Sequence, residues 1–297
     1  MSTRKKQNPV YESACPVPKG LLIAVGGHEN KGEGPRDGSN QDKNNSFATE
    51  SILRRFSDEL VGDDPLIVIV PTASGVPEES AGDYYEAFNR LGRTRIATMD
   101  IRSRPDTLKP EYLELAEQGA GFWFTGGDQL RLTALLGGTQ ILHRLKERYT
   151  YERIVLAGTS AGATALSTPM IYEGTNNAGF RKGEIAITTG LQFMRDVAID
   201  THFVARGRIV RMAQILATNL SCVGLGLEED TAVVVSNGRE LEVIGSGLVT
   251  VLETQEDTST NIYDISPQTP FSIRDLRLHF LAAGERYALP TSPELHL

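Results

Sequence analysis

An α/β fold with a doubly wound, mostly parallel sheet and helices on both faces follows from three features of this 297-residue sequence. Short β-branched apolar runs alternate with amphipathic stretches over the first two-thirds of the chain. Small and polar residues gather where those runs end, in "VGGHENKGEG", "FTGGDQ" and "AGTSAGA". From about Ser221 the pattern changes to period-two alternation with turn signals such as Asn237-Gly238, which predicts a β-rich extension added to the main sheet.

Taken in order, residues 1–18 read as an N-terminal extension and residues 19–297 as one α/β domain. Strands are expected at Leu21 to Val25, Leu66 to Pro71, Arg95 to Ile101, Gly121 to Phe124, Ile154 to Ala157 and Val197 to Thr201. Helices are expected near Ser46 to Leu60, Pro77 to Leu91, Pro110 to Gln118, Gln129 to Leu136, Gln140 to Tyr149 and Val204 to Ala217. The stretch from Gly27 to Asn45, dense in Gly, Asn, Asp and Lys, is expected as a polar loop at a strand end.

Composition narrows the function classes. With 40% hydrophobic and 23% charged residues the chain can bury a large core. A formal net charge of -8 argues against non-specific nucleic-acid binding and against docking on an anionic membrane. Cys15 and Cys222 are far apart, so a disulfide framework is not expected and a cytoplasmic location is. The histidines are scattered with no metal-ligand spacing, and no Walker-type loop occurs, so neither a metal nor a cofactor is expected.

Gly158-Thr159-Ser160-Ala161-Gly162 satisfies G-x-S-x-G between an apolar run and a helix start. Glycines there permit the strained strand-to-helix turn that lifts a serine hydroxyl clear of the sheet, so Ser160 is the candidate nucleophile. A helix-capping serine is the bland alternative. A serine needs a base, and His202 closes "DVAIDTHF" at a predicted strand end, on the rim where Ser160 is expected if both strands share one sheet. Beyond it, Arg208 and Arg211 lie three apart and share a face if a helix begins near Val204. They either clamp a substrate carboxylate or form a solvated face paired to acids such as Glu228 or Glu229. Asp200 either binds a cationic substrate group or pairs with an arginine. In "WFTGGDQL" the Gly127 amide is expected to complete an oxyanion site with the Ala161 amide, Asp128 to cap the next helix and Gln129 to orient substrate.

Together, "FTGGDQ", "GTSAGA" and "DTHFVARGRIVRM", in this order, resemble the cyanophycinase branch of the peptidase E-like serine hydrolases, the S51 peptidases. The resemblance covers most of residues 19 to 235. It implies a fold related to class I glutamine amidotransferases, a homodimer, and cleavage of cyanophycin into β-aspartyl-arginine dipeptides. Ser160 then matches the nucleophile and His202 the general base, while Gln129, Asp200, Arg208 and Arg211 match positions that hold the β-linked substrate. The family's histidine-orienting acid is expected roughly eighteen residues past the serine, where Ala178 stands in "YEGTNNAGFRKGE"; Glu184, with Glu173 as rival, is the expected substitute. The alternatives are an aspartyl dipeptidase, an α/β-hydrolase esterase, and a non-catalytic binding protein that has lost the acid.

Overall fold

Apolar runs become the strands of a central sheet, and the computed structural model describes them within residues 16–174 and 179–290. Strands β1 (Leu21–Val25), β2 (Ile67–Val70), β3 (Ile96–Thr98), β4 (Gly121–Phe124) and β5 (Val155–Thr159) pair in parallel in the order β3-β2-β4-β5-β1. Successive side chains on a strand point to opposite faces, and both faces are covered. Ile23 and Val25 join Phe56, Tyr84, Phe88 and Trp123 beneath the helices Ser51–Asp58 and Pro77–Arg90. Leu22 and Ala24 join Phe122, Leu132, Leu136 and Leu145 beneath Gln129–Leu136 and Gln140–Tyr151 on the other side. The expected helix over 46–60 is shortened to Ser51–Asp58, since Glu50 before it sits at φ 58°, outside the right-handed helical region, and a separate short helix, Asn40–Lys43, interrupts the stretch expected as a polar loop.

The β-rich end of the chain does not simply extend the main sheet; it is divided between two sheets. The hairpin Thr231–Ser236 and Glu240–Gly245, turning through Asn237 and Gly238 at φ 54° and 70°, runs antiparallel onto β1. Val223–Leu227 and Val249–Glu253 instead enter a six-stranded sheet. In that sheet Val223–Leu227 lies parallel to Val197–Thr201. Alternation explains the placement. Leu225 and Leu227 face the core shared with the main sheet. On the opposite face Gly226 leaves room for Phe203, whose Cδ1 would stand 2.2 Å from an added Cβ.

The strand Val197–Thr201 therefore belongs to a different sheet from β5, not to the same one as its parallel-sheet pattern predicts. The two sheets meet at loops. The His202 N–H donates to Gly26 O at 3.2 Å, and the Asp230 N–H donates to Gly27 O at 2.8 Å. Gly26 and Gly27, which leave β1, are thus held between the loop ends of the second sheet. An added Cβ at Gly26 would lie 1.8 Å from Glu228 O, so no larger residue fits there. Among the described residues no helix is long and apolar enough to cross a membrane.

Candidate active site

Ser160 sits between β5 and the helix Ala161–Leu166 at φ 50° and ψ −113°, a conformation that costs a non-glycine residue about 1–3 kcal/mol. Its N–H donates to Val25 O and its carbonyl accepts from Thr164 N–H, both at 3.0 Å, which holds the turn from both sides. The flanking glycines are a packing requirement. A Cβ at Gly158 would stand 2.5 Å from the Gly162 carbonyl carbon, and one at Gly162 would stand 2.3 Å from Phe124 O. Strand, turn and helix touch backbone to backbone, and this sets the G-x-S-x-G spacing.

The Ser160 Oγ lies 3.1 Å from His202 Nε2. On the far side of the ring, Nδ1 lies 2.6 Å from Glu229 Oε1. A carboxylate only accepts, so Nδ1 carries the hydrogen and the Nε2 lone pair faces the serine hydroxyl. Burial lowers the His202 pKa, opposed by the hydrogen bond it donates to Glu229 and assisted by the nearby Arg206 charge. The lowered pKa favours the neutral ring, whose Nε2 lone pair can accept a proton. Gly27, at φ 99°, makes the ring's position possible, because an added Cβ would meet His202 Cε1 at 2.6 Å.

The histidine's carboxylate partner is Glu229, neither Glu184 nor Glu173. Glu184 accepts the backbone N–H groups of Gly179 and Arg181, each at 3.0 Å, and those bonds hold its carboxyl below the usual range. Glu173 ends the strand Met170–Glu173 and is exposed. Both border the cleft, and neither contacts the imidazole. Ala178 lies outside the described residues. A signal for Glu229 is present in the sequence: "VGLGLEED" is an apolar strand ending in acids. Its last residue, Leu227, pairs in register with Thr201, so the two residues after each strand end side by side. Glu228 is occupied elsewhere, accepting the Val204 N–H, and burial raises its pKa. Two further residues belong here: His28, which the polar loop after Gly26-Gly27 offers without fixing a role for it, and Glu29, for which the sequence gives no signal. His28 stacks edge-on against His202 at 5.0 Å between ring centroids and brings Nε2 to 3.6 Å from Glu229 Oε1. Glu29, 2% exposed, accepts the Tyr84 hydroxyl and the Thr159 Oγ1, the latter at 2.5 Å, and so braces the residue before Ser160.

A cleft of about 650 Å³ opens beside Ser160 and is bordered by Gly127, Gln129, Ala161, Asp200, Arg208 and Arg211. Asp200, 1% exposed, receives Arg211 through Nε at 2.5 Å and through Nη2, and Arg208 through Nη1 at 3.0 Å. Of the two alternatives for these residues, pairing of Asp200 with arginine is the one present. The arginines do not meet Glu228 or Glu229. Arg208 stands at the N-cap of the helix Ile209–Thr218, which starts later than expected, and Arg211 is in its first turn. The buried Arg208 Nε has no partner among the described residues. Gln129 Nε2 donates to Ile171 O at 2.8 Å, tying the cleft wall to the helix that follows Asp128. The Asp128 side chain caps that helix by accepting Leu130 N–H. Gly127 adopts φ 139° against Ala73, whose oxygen would be 2.1 Å from an added Cβ. Neither the Gly127 nor the Ala161 N–H donates to another described residue, and both residues border the cleft that Ser160 borders.

His28, His202 and Glu229 bring one ligand atom each within 4.8 Å of one another. A cation held there would displace the proton on Nδ1, so the cluster competes with base chemistry. The free thiol of Cys222 is buried, which pushes its pKa up to about 12 and makes it inert. Cys15 lies outside the described residues.

Comparison with known proteins identifies the family. Residues 38–243 match the profile of Peptidase family S51. The chain is 32% identical over 278 residues to a cyanophycinase of Synechococcus elongatus, covering 94% of this chain and 82% of that protein. It is 32% identical over 266 residues to a cyanophycinase of Geminocystis herdmanii, covering 90% and 92%. Among solved structures, a peptidase from an acI-B1 Actinobacterium superposes with a TM-score of 0.63 at 22% identity, covering 92% of this chain and 98% of that one, which supports the shared fold. A serine at a strand-to-helix turn of one sheet, an imidazole held by a carboxylate at the strand ends of the other, and a family profile spanning all three lead to one statement: the chain belongs to peptidase family S51.

Proposed function

We propose that this chain is a serine-type exopeptidase that hydrolyses cyanophycin, a polyaspartate carrying arginine on its side chains, to β-Asp-Arg dipeptides. The observation that carries the reading is the continuous line Glu229–His202–Ser160 opening into a cleft that holds Asp200, Arg208 and Arg211. Ser160 Oγ attacks the scissile carbonyl carbon as its proton passes to His202 Nε2. The tetrahedral oxyanion is received by the Gly127 and Ala161 N–H groups. The carbon–nitrogen bond then breaks, and the proton on Nε2 goes to the departing amine. In the second half a water gives its proton to Nε2 and attacks the ester carbon. Collapse of that intermediate breaks the bond to Ser160 Oγ, which regains the proton.

The charges of the cleft suit the repeat unit, which offers carboxylates to guanidinium groups and a guanidinium to acids. Arg208 Nε is a free buried donor among the described residues, and Glu173 and Glu184 border the same space. Asp200 holds the two arginines in position, with Gln129 fixing the wall opposite. A carboxylate at Glu229 supports catalysis over mere binding, since the binding-only reading rested on a missing acid. The doubly wound core supports kinship with the class I glutamine amidotransferases, with serine at the elbow. A cytoplasmic homodimer is the setting we assign it.

Incubation with insoluble cyanophycin tests the proposal. Wild type is expected to release soluble dipeptide and Ser160→Ala to release none. Faster turnover of free aspartyl dipeptides than of polymer would move the assignment to an aspartyl dipeptidase.

A further inference from the structure

His28, His202 and Glu229 come from three separate segments whose backbones are tied to one another. The His202 N–H donates to Gly26 O and the Asp230 N–H to Gly27 O, so the strand ends that carry His202 and Glu229 are both bonded to the two residues before His28. The His28 carbonyl accepts Arg36 Nη1 at 2.9 Å, which holds the loop beyond. The three side chains are therefore placed by backbone before anything binds, and little ordering entropy remains to be lost.

Their mutual geometry is that of a cation site. Bonds of about 2.0–2.2 Å to a tetrahedral zinc ion set the ligand atoms about 3.3 Å apart and the centroids of two bound imidazoles about 5 Å apart. Here Glu229 Oε1 lies 2.6 Å from His202 Nδ1 and 3.6 Å from His28 Nε2, and all three atoms lie within 4.8 Å of one another. The two ring centroids are 5.0 Å apart. Solvent reaches the group: the His28 and Glu229 side chains are 56% and 32% exposed, and His28 borders a second cavity, of about 260 Å³, that Ser160 and His202 also border. Donor chemistry selects the ion. Two imidazole nitrogens and one carboxylate oxygen suit zinc, whereas magnesium and calcium take oxygen ligands. With a single anionic ligand, and with the Arg206 charge acting on the same imidazole, binding is reversible rather than that of a resident metal.

We propose that His28, His202 and Glu229 form a zinc-binding site that switches the base off. Zinc takes the electron pair of Nδ1, and the ring proton moves from Nδ1 to Nε2, so the imidazole loses no proton. Nε2 then donates toward Ser160 Oγ and has no electron pair left to receive its proton. Glu229 Oε1 passes from the ring to the ion. Binding stands on the geometry alone, and its effect on the reaction rests on the peptidase reading above.

Calorimetric titration of the full chain with zinc chloride is expected to show one saturable site. His28→Asn is the informative variant, because asparagine tolerates the φ of 48° at this position. It is expected to weaken zinc binding by at least roughly tenfold, since loss even of a ligand's outer partner costs roughly 10–100-fold. Cobalt(II) should develop the strong visible absorption of tetrahedral coordination in wild type and not in His28→Asn. Over the range in which calorimetry shows binding, zinc is expected to abolish both dipeptide release and the labelling of Ser160 by a fluorophosphonate. EDTA should restore both, and magnesium at equal concentration should change neither. Half-inhibition of His28→Asn should need at least roughly tenfold more zinc, each protein being compared with its own zinc-free rate. Equal zinc affinity in wild type and His28→Asn overturns the inference, and so does full labelling of Ser160 in zinc-saturated wild type. A zinc-free chain that neither releases dipeptide nor takes the label refutes the peptidase reading instead, while calorimetry still decides the site.

Discussion

Replacing Glu229 by glutamine is the sharpest perturbation the site allows, because it keeps the side chain's shape and removes its charge. The carboxylate lies 2.6 Å from His202 Nδ1, accepts only, and so keeps the proton on Nδ1. A glutamine amide can donate to Nδ1 instead, which moves the ring proton to Nε2 and leaves Ser160 Oγ facing no lone pair. The imidazolium formed during attack also loses its counter-charge. Loss of the orienting acid in a buried triad costs about four powers of ten in rate. The Glu229 side chain is 32% exposed, so water replaces part of the lost interaction. We expect kcat to fall by about 10²–10³, or about 2.7–4.1 kcal/mol of barrier. Glu184→Gln and Glu173→Gln, which leave the imidazole untouched, are expected to keep kcat within about fivefold of wild type, any loss of their contact with the substrate guanidinium appearing in KM. The assay is the initial rate of soluble dipeptide release from insoluble cyanophycin, with thermal unfolding to verify that each variant is folded. A folded Glu229→Gln enzyme with more than about a tenth of wild-type rate refutes the reasoning, and so does collapse of activity in Glu184→Gln alone.

Activity should respond to pH through His202. Protonation removes the Nε2 lone pair, and burial places its pKa below 6.5, so kcat/KM should be maintained on lowering the pH through 6.5 and fall only beyond it; an acid limb centred above 6.5 contradicts this. Ser160→Gly should abolish dipeptide release yet raise stability by about 1 kcal/mol, read as a higher urea midpoint, because glycine adopts φ 50° without strain. Asp200→Ala leaves two guanidinium groups unpaired in a buried position and should cost about 3–5 kcal/mol of unfolding free energy by denaturant titration. An unchanged urea midpoint would show that the arginines hold their places without it.

Local rules were enough for much of the scaffold. β1, β4 and the strand Val197–Thr201 have the bounds their apolar runs predict, and Pro110–Gln118 and Gln129–Leu136 follow their periodicity. The glycine spacing around Ser160 is legible because the turn itself is local, with Ser160 at positive φ and Gly158 against the Gly162 backbone, although the approach of Gly162 to Phe124 O is a contact between distant segments. His202 is legible as a strand-end histidine beside a known type of nucleophile. Glu229 was passed over because its partner is 27 residues away in sequence, and because an acid after a strand has many uses.

The sequence by itself determined the α/β class, the serine at its corner, the histidine, and the arginine-bearing segment after it, since each depends on periodicity or on contacts within a few residues. Tertiary structure decided that Val197–Thr201 and Val223–Leu227 leave the main sheet, and that their parallel ends bring Glu229 beside His202. It also decided that Asp200 turns to Arg208 and Arg211, and that a second cavity meets Ser160. Those outcomes depend on which strands are neighbours and which glycines let two backbones approach, quantities that pairing between distant segments sets and that no window along the chain contains.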